Sequence, residues 1–262
     1  MKGYRWMLVL GAGVVLGIAA STVTAFRPSL VSAGRASDVH GEWVKYAGAG
    51  GDSVMAYIAF PERSNAAPAV IVIHEIFGLS DWVRSVADRL AEEGFVAIAP
   101  DLLSRRGGTE NAAQPRRVIR DLPPDSIRVD LDATHDYLRT LRSVRTDAVG
   151  VIGFCWGGGR SFRYATDNPD LRAVVVCYGS APEAAEMARI KAPVLGIYAE
   201  RDASINANLA GVERAMRPAG KRYVKTVYPE AGHGFLRTMR PRAVAEEAWR
   251  DVLRFLDEEL NR

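Results

Sequence analysis

Short, unbroken apolar runs recur along this chain: APAVIVI at 67–73, FVAIAP at 95–100, DAVGVIG at 147–153, RAVVVCYG at 172–179 and APVLGIY at 192–198. Each is rich in β-branched residues and lacks polar alternation, the pattern of a strand covered on both faces in a largely parallel sheet. Segments of helical periodicity lie between them, at 81–93, about 125–142, 157–166, about 206–216 and 242–260. YVKTVY at 223–228 is a later strand, and Trp43 to Phe60 is an edge hairpin around AGAGGDS. Alternation of this kind predicts an α/β fold, a doubly wound sheet with right-handed crossovers and helices on both faces. With 48% hydrophobic and 25% charged residues in 262, one core suffices, so residues 41–262 are expected to form a single domain.

The start of the chain is different. MKGYRWMLVLGAGVVLGIAASTVTA combines Lys2 and Arg5, an apolar run from about Trp6 to Ala20, and Val23-Thr24-Ala25 in small-residue cleavage spacing. The run falls short of the roughly 20 residues that cross a bilayer, so residues 1–25 are expected to be a cleaved signal, with an uncleaved anchor as the alternative. Residues 26–40 then serve as a spacer, and the protein is expected outside the cytoplasm. The net charge of +3 comes from scattered arginines with no Lys/Arg block, which argues against a nucleic-acid partner. Two cysteines, Cys155 and Cys177, are too few for a disulfide framework.

Chemistry in a doubly wound sheet gathers at the carboxyl ends of its strands. After the run ending at Ile152 comes GFCWGG, a G-x-C-x-G version of the nucleophile elbow, in which a sharp strand-to-helix turn exposes the residue between the glycines. The turn would set the Cys155 thiol near a helix N-terminus and aim the Trp156 amide at a developing oxyanion. A packed cysteine in a glycine-rich turn, or a phosphate nest, would give the same pentapeptide. Of four histidines, His40 precedes the core and His135 falls in a helical, solvated stretch. His233, in the glycine-flanked loop EAGHGF, is the candidate base. Asp202, after the strand GIYAER, is the candidate group to orient it, with Glu200 as the fallback. Nucleophile, acid, histidine is the chain order of α/β-hydrolases. Cys177 is expected to be a buried core residue.

Together with HEIFGL at 74–79, PDL at 100–102 and Arg237, these stretches make residues 40–260 similar to the dienelactone hydrolase family. The resemblance implies that Glu75 lies beside the cysteine, keeps the resting thiol protonated, and takes its proton when substrate binds. It further implies attack of Cys155 on a lactone or ester carbonyl, an oxyanion held by the amides of Trp156 and Ile76, and water activated by His233 to clear the acyl-enzyme. No metal or organic cofactor is implied. Family members that act on dienelactone hold its carboxylate with arginines, which here fall on Arg237 and, without gaps, on Arg120, with Arg116 and Arg117 close by. A monomer acting on small, possibly anionic esters or lactones is expected, with a membrane contact only if the leader stays. A broader carboxylesterase and an idle scaffold that only binds are the competing possibilities.

Overall fold

In the computed structural model, which describes residues 39–48, 51–217 and 220–262, the apolar runs become the inner strands of one eight-stranded sheet. The leader, most of the spacer and part of the AGAGGDS turn lie outside the described residues. The strands are β1 (His40–Ala47), β2 (Ser53–Phe60), β3 (Ala67–Ile73), β4 (Val96–Pro100), β5 (Val144–Phe154), β6 (Ala173–Cys177), β7 (Val194–Arg201) and β8 (Tyr223–Gly232). The order across the sheet is β1-β2-β4-β3-β5-β6-β7-β8. β1 and β2 are antiparallel to their neighbours and the rest run parallel. The hairpin therefore lies at the edge, as its mixed composition requires, and the continuous apolar runs lie inside.

Residues of β3 alternate between two cores. Ala69, Ile71 and Ile73 face one side, Val70 and Val72 the other. The second face is covered by α1 (Asp81–Glu92) and α9 (Arg242–Leu260). The first is covered by α3 (Pro124–Thr140), α4 (Trp156–Asp167) and α7 (Leu209–Met216). Between β4 and α3 lies the short helix α2 (Pro115–Arg120), and α5 (Ala184–Met187), α6 (Ala203–Asn206) and α8 (Phe235–Thr238) are single turns.

One histidine departs from expectation. His135 is helical but only 4% exposed, because it continues the buried stripe of Ile127, Leu131, Thr134 and Leu138 on α3. Burial pulls its pKa down, and its Nε2 has no hydrogen-bond partner. His40 lies exposed on the edge strand.

From β3 the chain crosses to β4 on one side and then returns to β5 on the other. The switch point thus falls between β3 and β5, and a crevice opens at their carboxyl ends, where Glu75-Ile76 and Cys155 follow.

Candidate active site

Cys155 sits at φ 55, ψ −117, between the last residue of β5 and the first of α4. Side chains seldom occupy this region, and the surrounding backbone holds it there. A Cβ on Gly153 would lie 2.0 Å from the Gly157 carbonyl oxygen, and one on Gly157 would lie 2.4 Å from the carbonyl oxygens of Ile73 and His74. Both glycines of the pentapeptide are therefore set by close packing of strand against helix. The Cys155 amide donates to the Cys177 carbonyl at 3.0 Å, and the Cys155 side chain stays partly exposed after the buried Phe154.

Register brings the next two residues together. β7 and β8 are parallel neighbours in which Arg201 pairs with Gly232, so the residues that follow, Asp202 and His233, leave the sheet side by side. His233 Nδ1 lies 2.5 Å from Asp202 Oδ2, and the Asp202 side chain is 9% exposed. β8 runs through Pro229–Gly232, four residues past the apolar stretch, so His233 stands at a strand end where the sequence predicts a loop. The Cys155 side chain, with Asp202 in support, raises the His233 pKa to about 9 against the opposing effect of burial. Glu200 does not reach the imidazole. Its Oε2 accepts the Glu230 amide at 2.8 Å, where Glu230 takes a φ of 59, and so it braces the turn that carries His233.

Glu75 is buried and its Oε2 takes the Arg237 Nε–H at 2.8 Å. Burial pushes the carboxyl pKa up, while Arg237 and His233 pull it down. No hydrogen bond joins Glu75 to Cys155 among the described residues. Arg237 also lies 5.1 Å from the Phe77 ring centre. The opposite arginine is Arg116, whose guanidinium is 4.5 Å from the same ring. Arg120 is exposed at the far end of α2, one helical turn on, and is not brought to Phe77. The amides of Ile76 and Trp156 have no hydrogen-bond acceptor among the described residues.

Two buried residues escaped sequence reading. His74 accepts the Leu102 amide at Nε2 (3.3 Å), which leaves the proton on Nδ1 to donate to the Glu75 carbonyl at 2.8 Å. Burial lowers its pKa, so the ring is neutral, and it stacks on Trp156 at 5.6 Å. It ties together HEIFGL, PDL and GFCWGG, and recurrence of all three at strand ends was the available signal. Tyr178, after β6, places its ring edge-on to His233 at 5.1 Å with its hydroxyl buried and unpartnered. Cys177 is fully buried as expected, and burial drives its thiol pKa well up. Among the described residues no cluster of His, Cys, Asp and Glu could hold a metal ion.

Comparison with known proteins gives the family. The model of the dienelactone hydrolase family matches residues 54–260. A Yersinia pestis protein provisionally named a carboxymethylenebutenolidase is 35% identical over 223 residues, which cover 79% of this chain and 83% of the relative. A Methylorubrum extorquens protein of the same provisional name is 35% identical over 210 residues, 74% of this chain and 72% of the relative. A crystal structure from Klebsiella pneumoniae, provisionally a dienelactone hydrolase, superposes with a TM-score of 0.76 at 30% identity, covering 83% of this chain and 98% of that one. With its mixed sheet, its strand-end cysteine and a family match over most of its length, this chain belongs to the dienelactone hydrolase family.

Proposed function

We propose that this hydrolase cleaves small esters and lactones through a thioester on Cys155. The observation that carries the proposal is the strained Cys155 turn together with the His233 imidazole bound to Asp202 and electrostatically coupled to the Cys155 side chain.

With the Cys155 sulfur as thiolate and Asp202 beside it, the His233 pKa rises to about 9, so the ring carries a proton and serves as the acid. The thiol proton passes to Glu75, whose affinity for it is raised by burial. A substrate carboxylate competing for Arg237 would loosen the Arg237–Glu75 pair and free Glu75 for that task. Thiolate sulfur then bonds to the carbonyl carbon while the amides of Ile76 and Trp156 hold the oxyanion. Collapse breaks the ester C–O bond, and the His233 proton goes to the leaving alkoxide. The imidazole is now neutral, and acylation has removed the sulfur charge that raised its pKa most. It can therefore take a proton from water, whose oxygen attacks the thioester and expels thiolate. Glu75 returns its proton to sulfur, and the cycle closes with one ester and one water consumed.

Turnover of a dienelactone and of p-nitrophenyl acetate, with mass spectrometry of the trapped acyl-enzyme, tests the proposal. An inert protein, or an acyl group on any residue other than Cys155, would overturn it. The carboxylate clamp has its own test. Arg237→Met is expected to raise KM for an anionic lactone about tenfold more than for a neutral acetate ester, since a charge-assisted hydrogen bond of ~1.5 kcal/mol is lost only by the former. An equal response removes Arg237 from the clamp.

We also propose that the enzyme is exported, on the basic start and short apolar run of residues 1–25. N-terminal sequencing of the mature protein should begin at Phe26. A retained Met1 on a membrane-bound product would replace cleavage by the anchor.

A further inference from the structure

The geometry points to a second binding subsite, a groove from the mouth of the active site to Trp43 on edge strand β1, that takes an aryl-bearing arm of the ester substrate. The inference rests on the esterase proposal and deepens it by naming a substrate class. The groove encloses about 630 Å³, within the range of small-molecule sites, and its walls include Trp43, Phe77, Trp82, Arg84, Thr109 and Arg237.

Two of these walls, Arg237 and Phe77, belong to both places. Arg237 is the ion-pair partner of Glu75. Phe77, the residue after Ile76, has the guanidinium groups of Arg116 and Arg237 at 4.5 and 5.1 Å from its ring centre. Trp82, on the first turn of α1, packs edge-on at 4.9 Å against Phe154, the residue before Cys155. A group bound along Arg237 and Phe77 therefore borders the residues that flank Cys155, with Glu75 paired to the first and Ile76 next to the second in the chain.

The far end explains the chemistry of the occupant. Large apolar side chains exposed among the described residues are Trp43 at 44%, Val224 and Val227, and the two valines lie on β8 at the opposite edge of the sheet. Trp43 is thus the one exposed aromatic of the three. Its ring is held by Tyr57, edge-on at 5.9 Å, and by the Arg84 guanidinium at 5.6 Å, and stays 44% exposed. Arg84 is itself anchored by an ion pair with Asp81, and Tyr57 by a 2.7 Å hydrogen bond to Asp88. A tryptophan braced this way offers a fixed flat face at little entropic cost, which suits another ring. Thr109 fixes the floor through hydrogen bonds to the Leu79 amide and to Asp101, so the groove is preformed.

The test compares p-nitrophenyl acetate with p-nitrophenyl esters of phenyl-terminated acids, from phenylacetate to 5-phenylvalerate, in the wild type, Trp43→Ala and Trp43→Phe. In the wild type the kcat/KM ratio of phenylacyl to acetyl ester should rise with chain length as the ring reaches Trp43. Trp43→Ala should lower that ratio about fivefold, and Trp43→Phe should recover most of it, because an aromatic pair contributes roughly 1 kcal/mol beyond the area it buries. Calorimetric titration with 5-phenylvalerate should show the same weakening in the alanine variant without relying on turnover. Ratios and affinities that match the wild type in Trp43→Ala would overturn the subsite. Failure of the wild type to hydrolyse even the acetate would instead remove the esterase proposal, and the titration would still decide the groove.

Discussion

Cys155→Ala is expected to abolish ester hydrolysis, with a loss on the order of 10⁶-fold in kcat by the precedent of nucleophile removal from a serine triad. No other nucleophile stands at the elbow, and the neighbouring Cys177 is fully buried with its thiol held neutral. Alanine has the same Cβ as cysteine, so the strained turn is kept, and the melting temperature should move by no more than about 4 °C, the shift that ~1 kcal/mol gives a chain of this size. Cys155→Ser should recover little, since a hydroxyl is much harder to ionise than a thiol. The same variant reads the coupling of thiol and imidazole. The Cys155 side chain is the largest influence raising His233 to about 9, so its removal should lower the midpoint of the His233 imidazole in an NMR titration. Residual turnover near the wild-type rate would remove Cys155 from the mechanism. A midpoint that stays near 9 would show that Asp202 alone governs the imidazole.

What could be seen in the sequence follows from which interactions are local. The strands were legible because burial on both faces demands continuous apolar runs, and APAVIVI and AVVVC have no other soluble use. The elbow was legible because two close backbone approaches exclude a Cβ at Gly153 and Gly157. Asp202 and His233 could be named from their positions after strands, yet their contact depends on the β7–β8 register, which the sequence does not display. His135 was misplaced because one polar residue in an amphipathic stripe does not reveal which way the helix is turned. The arginine beside Phe77 was harder still. Arg116 and Arg120 are one turn apart on a six-residue helix, and the rotation of that helix is set by burial of Ile119. The Glu75–Arg237 pair joins residues 162 positions apart in sequence (237 − 75), and only the closing of the sheet brings them together.

Asp202→Asn should cost about 10⁴-fold in kcat with KM nearly unchanged, the size of effect seen when an orienting aspartate is amidated in a serine-protease triad. The reason is the proton on the ring. Asp202 accepts from His233 Nδ1 at 2.5 Å, which leaves Nε2 as the nitrogen that can serve the thiol and the incoming water. An asparagine amide in the same place can turn its NH₂ toward Nδ1, which favours the tautomer with the proton on Nε2 and removes the base. Loss of the carboxylate also withdraws support for the cationic ring, so the imidazole midpoint should fall. Glu200→Gln is the contrasting variant. The carboxylate of Glu200 braces the Glu230 amide, and a glutamine oxygen can accept that same hydrogen bond, so the loss should be less than tenfold, close to the ~1 kcal/mol of an ordinary hydrogen bond. The two acidic residues flank Arg201 on one strand end, and only their different partners separate them. Equal damage from the two substitutions would mean that Asp202 acts by holding the strand end together, and that the His233 tautomer is fixed by something else.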